Sequence, residues 1–167
     1  MIKKYFLLTA LFVLSVTSYA EPLDPVKLLS SYVGIDTVNP PGNESRAVDF
    51  YAKIFEEEGI EFSSAESAAG RGNIWARIKG GDLPALVLLQ HTDVVPATKK
   101  YWDTDPFVAE IKDGYLYGRG VIDMKGAGIS QLVSFIRLHR SGLSLNRDLV
   151  FVATADEEAG GMFGAGW

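Results

Sequence analysis

Two uninterrupted apolar runs, each leading into a cluster of chemically active side chains, restrict this chain to a narrow set of architectures. Ala85-Leu86-Val87-Leu88-Leu89 has no polar alternation, the pattern of a strand covered on both faces. Leu149 to Ala153 repeats that pattern near the C-terminus. Elsewhere apolar residues return at helical spacing. Leu28, Leu29, Tyr32 and Val33 share one face of a helix that Asp24-Pro25 opens as N-cap and first helical position. Ala47, Val48, Tyr51, Ile54 and Phe55 mark a second helix, closed by Gly59. Ile129, Leu132, Val133 and Ile136 mark a third, ending near Ser141-Gly142. Asn73 to Ile78 reads as a further strand. Ala109-Glu110-Ile111 and Tyr115-Leu116-Tyr117 read as a hairpin turning at Asp113-Gly114. Helices alternating with apolar strands indicate a layered α/β fold: a mostly parallel central sheet with helices on both faces.

The N-terminus reads as an export signal. Lys3 and Lys4 precede an apolar stretch from Tyr5 to Val16, and Ser18-Tyr19-Ala20 places small residues around a cleavage point. That stretch is shorter than the ~20 residues a spanning helix needs, and no later segment qualifies. Residues 1–20 are therefore expected to be a signal peptide, leaving residues 21–167 as a periplasmic or secreted chain with no stable membrane span. There is no cysteine, so the fold rests on its core and a thiolate zinc site is excluded. The formal charge of −5, more negative without Lys3 and Lys4, argues against a nucleic-acid partner.

In open α/β sheets, ligands bind beyond the carboxyl ends of the strands. Three polar clusters follow strand-like segments here. The first is His91-Thr92-Asp93. Side chains two apart in extended chain project to the same side, so Asp93 is placed to hold the imidazole of a metal-binding His91. The second runs from Gly118 to Gly126 and contains Asp123, among glycines that permit tight turns and close backbone approach. Capping the helix that follows is the other role open to Asp123. The third is Asp156-Glu157-Glu158, ahead of Gly160-Gly161. Carboxylates massed in this way repel one another unless a cation sits among them, and a metal ion suits hard oxygen ligands. A solvated acidic loop is the alternative. Arg119 suits either a substrate anion or an ion pair within the acidic rim. His139, late on the third helix beside Arg137 and Arg140, reads as a surface or helix-end residue.

Taken in order, these motifs resemble those of the cocatalytic dizinc hydrolases. That family includes glutamate carboxypeptidase, aminoacylase, carboxypeptidase S, acetylornithine deacetylase and succinyl-diaminopimelate desuccinylase. The resemblance runs from about Leu28 to Trp167 and takes in Asn39-Pro40-Pro41-Gly42-Asn43 and Trp102-Asp103-Thr104-Asp105-Pro106-Phe107. Within the family, the motifs resemble above all those of the aminoacylase and carboxypeptidase S branch. The resemblance implies two zinc ions, with cobalt or manganese also acceptable to oxygen-rich ligands. It makes His91 a ligand of one ion, Asp93 the residue clamping its ring, Asp123 the bridge between ions, and Glu158 a ligand of the other. It also implies a cis peptide between Asp123 and Met124. Glu157 becomes the general base of amide hydrolysis by a metal-activated water, on a small peptide or N-acyl amino acid.

The family pattern further requires an aspartate and a distant histidine downstream, and a lid domain that serves dimerisation. Residues 21–167 accordingly read as the N-terminal part of a catalytic domain whose full-length form is a homodimer, and the 167-residue chain alone is expected to be inactive. The competing expectation is a non-catalytic exported domain that binds metal or a partner weakly. Metal-dependent phosphoester hydrolysis is a third class open to the same ligand types.

Overall fold

A computed structural model describes residues 22–167; the signal peptide expected over residues 1–20 lies outside them. The described residues form helices α1 (Pro25–Val33), α2 (Ser45–Glu57) and α3 (Gly126–Ser141), a four-stranded sheet and a separate hairpin. The strands are β1 (Phe62–Glu66), β2 (Gly72–Ile78), β3 (Leu83–His91), β4 (Glu110–Lys112), β5 (Tyr115–Tyr117) and β6 (Arg147–Thr154). Helix α1 starts as its sequence directs: the Asp24 side chain accepts from the amides of Val26 and Lys27 at 3.0 and 3.1 Å, with Pro25 at the first position. Helix α3 stops at Gly142, which takes φ 61°. Among the described residues, no helix is long and apolar enough to cross a membrane.

The α/β layering matches expectation, but the sheet is mixed and the helices gather on one face. Sheet order is β1-β2-β6-β3. β1–β2 and β2–β6 pair antiparallel, and only β3–β6 runs parallel. Residues 67–71 join β1 to β2, too short a link for a parallel crossover, which needs a dozen residues or more. Ile74, Ala76, Leu149, Phe151 and Ala153 face the helices. There they pack with Tyr32 of α1, Tyr51 and Phe55 of α2, and Leu132, Phe135 and Ile136 of α3. Phe151 is the centre of this core, with ring centroids of Tyr51, Phe55 and Phe135 at 5.3, 5.5 and 5.8 Å.

β3 departs from its expected burial. It is an edge strand, and Leu86, Val87 and Leu89 are 51%, 51% and 50% exposed. A continuous apolar run signals cover on both faces; among the described residues only one face has it. The hairpin β4–β5 forms as expected, with Asp113 and Gly114 at φ 53° and 82°. It stands apart from the main sheet.

Candidate active site

Three segments converge beyond the C-terminal ends of β3 and β6. His91 pairs with Thr154 at the end of the parallel ladder, and the Thr92 amide donates to the Thr154 carbonyl at 2.9 Å. Thr92-Asp93 and Ala155 to Glu158 therefore leave the sheet side by side. The third segment is not a strand end but a kinked turn, Val121–Lys125, directly ahead of α3. Asp123 and Met124 depart from helical dihedrals within it, and their peptide is cis, as the resemblance implied. Buried Lys125 ties this turn to the end of α1, its Nζ donating to the carbonyls of Tyr32 and Ile35 at 2.9 and 2.7 Å. Burial pulls that amine down to about 8, with the Asp36 charge opposing.

His91 sits at the centre. Its Nδ1 is 3.0 Å from the backbone carbonyl oxygen of Asp93 and 3.5 Å from the Asp93 carboxylate. Nε2 is thereby turned toward Asp123 Oδ1 at 3.0 Å and Glu157 Oε2 at 3.8 Å. Ligand atoms of His91, Asp123 and Glu158 all lie within 4.8 Å of one another. Burial favours the neutral imidazole, but Asp93 and Asp123 outweigh it and lift the ring from 6.5 to about 9. Glu158 is raised as well, by burial first; His91 opposes this, while Asp123, Asp93 and Glu157 add to it. Carboxylates crowded round one imidazole raise His91 and add to the burial that raises Glu158, and a cation among them would relieve that crowding.

The Asp93 carboxylate does more than face the ring. Oδ1 accepts from the Glu157 amide at 3.0 Å, and Oδ2 accepts from the Glu158 amide at 3.0 Å and from Asn39 Nδ2 at 2.8 Å. Burial pushes its pKa up, yet hydrogen bonds from His91, Asn39 and the Glu158 amide hold it below its ordinary value. Asp93 thus anchors the acidic turn and presents its backbone carbonyl to the imidazole. Asp123 and Glu157 remain open to an incoming ligand, their side chains 75% and 63% exposed. Asp123 is not the cap of α3: Lys125 occupies that position, with no side-chain cap bond. A cavity of about 230 Å³ opens beside the cluster, with Leu89, Met124, Ala155 and Ala165 next to His91 and Glu157.

Arg119 turns away from the acids. Its guanidinium lies 5.3 Å from the Trp102 ring centroid and donates to the Pro96 carbonyl at 3.4 Å. His139 sits in the last turn of α3 and takes no part in the cluster. Sequence reasoning missed a buried layer behind the acidic turn, formed by Glu44, Arg71 and Asp156. The loop Asn39 to Asn43 leads into it, but Arg71 stands in a turn with no periodic pattern to mark it.

Residues 87–167 match peptidase family M20/M25/M40. A succinyl-diaminopimelate desuccinylase from Parvibaculum lavamentivorans is 36% identical over 148 residues, covering 85% of this chain and 36% of that protein. Human aminoacylase-1 is 34% identical over 139 residues, covering 81% of this chain and 34% of that one. The M20 family metallo-carboxypeptidase Sso-CP2 from Sulfolobus solfataricus shares the fold, with a TM-score of 0.70 at 20% identity over 82% of this chain and 32% of that chain. The chain spans about a third of the length of the curated relatives it matches. The matched segment starts inside β3 and contains His91, Asp93, Asp123, Glu157 and Glu158, all five residues that meet at the strand ends. Residues 87–167, just under half of the chain, thus carry a peptidase family M20/M25/M40 domain.

Proposed function

We propose that this chain forms the strand-end part of a zinc-dependent amide hydrolase acting on small peptides or N-acyl amino acids. The observation that carries this reading is the approach of His91, Asp123 and Glu158 to within 4.8 Å, with Glu157 beside them. The donor set fits zinc: the Asp93 carbonyl occupies His91 Nδ1 and leaves Nε2 directed at carboxylate oxygens. Exposed Asp123 would be shared between two ions, with His91 serving one and Glu158 the other. Bound zinc supplies Lewis-acid polarisation of the scissile carbonyl and lowers the pKa of water. Glu157, exposed and held by its amide to Asp93, takes the proton of the attacking water and returns it to the leaving nitrogen. The relatives named as a desuccinylase and an aminoacylase support an N-acyl substrate, and the family's name supports a peptide. The leader expected over residues 1–20 would carry the protein out of the cytoplasm.

Glu157→Gln in protein expressed from its complete reading frame tests the assignment. The variant should keep its zinc and lose at least ~10²-fold in turnover on N-acyl amino acids or dipeptides. Near-normal turnover at full zinc content would remove Glu157 from the base role. Zinc binding without hydrolysis in the wild type would favour a non-catalytic binding domain, and turnover of a phosphomonoester alone would favour a phosphoesterase.

A further inference from the structure

The buried layer behind the acidic turn has no part in the chemistry just described, yet it is built around the residue that precedes the glutamate pair. Asp156 takes φ 70°, uncommon for a residue with a Cβ, and every polar atom it has is engaged. Its amide donates to Glu44 Oε1 at 3.2 Å. Its carbonyl accepts from Ala159 at 3.2 Å and Gly161 at 2.6 Å. Oδ1 accepts from Arg71 Nη2 and from Asn39 Nδ2, and Oδ2 accepts from the Phe163 amide at 3.1 Å.

Arg71 is 6% exposed, and both its Nη atoms are engaged, while its Nε has no hydrogen-bond partner among the described residues. Nη1 lies 3.3 Å from Glu44 Oε1 and donates to Asn39 Oδ1 at 3.3 Å and the Pro41 carbonyl at 2.6 Å. The Phe163 ring centroid is 5.2 Å from the guanidinium carbon. The loop above leaves room only because residue 42 is glycine: a Cβ there would fall 1.7 Å from Arg71 Nη1. Asn39 then joins this layer to the site, since one Nδ2 donates to Asp93 at 2.8 Å and to Asp156 at 3.2 Å.

We infer that Arg71 is a positioning residue: acting through Asp156, it fixes the direction in which Glu157 and Glu158 project toward His91 and Asp123. The inference rests on the metal-dependent reading above. Asp93 holds the amides of Glu157 and Glu158 from one side; the Arg71–Asp156 pair holds the preceding residue from the other. A rotation at Asp156 would carry both glutamates away from the imidazole. A planar guanidinium can meet Asp156, Glu44, Asn39 and the Pro41 carbonyl together, whereas a lysine is a point charge that cannot.

The test uses zinc affinity by competition titration, amide exchange at Glu157 and Glu158, and unfolding midpoints, on protein from the complete reading frame. Arg71→Met should weaken zinc ~10–100-fold, as loss of outer-shell support does, and expose both amides to exchange. Arg71→Lys should recover only part of the affinity. Leu132→Ala, on the core face of α3, separates positioning from general stability. It should lower the unfolding midpoint while zinc affinity stays within about threefold. If Arg71→Met does not fold, Arg71→Lys and Gly42→Ala carry the test, because both keep the charge and displace it. Wild-type zinc affinity in folded Arg71 variants, or an equal loss in Leu132→Ala, would overturn the inference. Should the wild type bind no zinc, the metal reading fails on its own account. Amide exchange then decides the positioning claim, and unchanged protection at Glu157 and Glu158 refutes it.

Discussion

Asp93→Asn asks whether a single carboxylate holds the acidic turn. Both its oxygens are in use, Oδ1 for the Glu157 amide and Oδ2 for the Glu158 amide and Asn39 Nδ2. Asparagine has the same shape and only one such oxygen. Set at the Oδ2 position, it keeps the Glu158 and Asn39 bonds and turns its NH₂ on the Glu157 amide, donor against donor. Set at Oδ1, it keeps Glu157 and loses the other two, so the first orientation wins. The cost is one charge-assisted bond with its amide left unpaired, about 2–3 kcal/mol. Asp93→Ala loses all three bonds and should cost about twice as much, less the desolvation a buried carboxylate no longer suffers. Urea unfolding at pH 7 in the presence of EDTA, followed by far-ultraviolet circular dichroism, gives both values. Hydrogen exchange adds a signature, because the Glu157 amide should lose protection in the asparagine variant while Glu158 keeps it. An asparagine variant within ~0.5 kcal/mol of wild type, or an alanine variant no worse than asparagine, would refute the reasoning.

The pH response of the metal-free protein follows from His91. Its folded pKa of about 9 exceeds the ordinary 6.5, so its stabilisation is complete below 6.5 and is lost as pH rises through 9. Buried Lys125, lowered to about 8, acts in the opposite sense above that pH, so the window from 6.5 to 8 isolates the imidazole. Stability should fall there by at most ~1.4 kcal/mol per pH unit, and saturating zinc should flatten the slope; a rise with pH in EDTA would contradict this. In α3, a Cβ at Gly128 would fall 1.7 Å from Gln90 Oε1, which already accepts from the Tyr51 hydroxyl at 3.0 Å. Gly128→Ala should therefore cost about 1–3 kcal/mol despite alanine's higher helix propensity, and a raised melting temperature would count against the packing described.

Local pattern made α1, α2 and α3 legible through apolar residues recurring at helical spacing, and β6 through its uninterrupted apolar run; all four meet in one core. β1 was not legible: Phe62–Glu66 is an edge strand with little burial, so its sequence carries no apolar alternation. Strand direction failed for a related reason. Apolar content does not say which strands are neighbours, and the short link over residues 67–71 imposes an antiparallel pair. At the site, His91, Asp123 and Glu158 were marked by their motifs, and the fold brings them together. The spacing of His91 and Asp93 suggested a carboxylate on the ring. It gave no hint that the same carboxylate would reach two amides 64 and 65 residues later. Arg71 was hidden still more completely, since its partners Asn39 and Asp156 lie 32 and 85 residues away. Such contacts exist only once β2 and β6 are paired.

Zinc located directly in the folded protein tests the central claim most sharply. Crystals of the protein from its complete reading frame, grown with zinc and measured at the zinc absorption edge, should show anomalous density bounded by His91 Nε2, Asp123 and Glu158. A second peak sharing Asp123 is expected beside it. Zinc bound only elsewhere, or none at saturating concentration around an intact His91–Asp123–Glu158 cluster, would contradict the account.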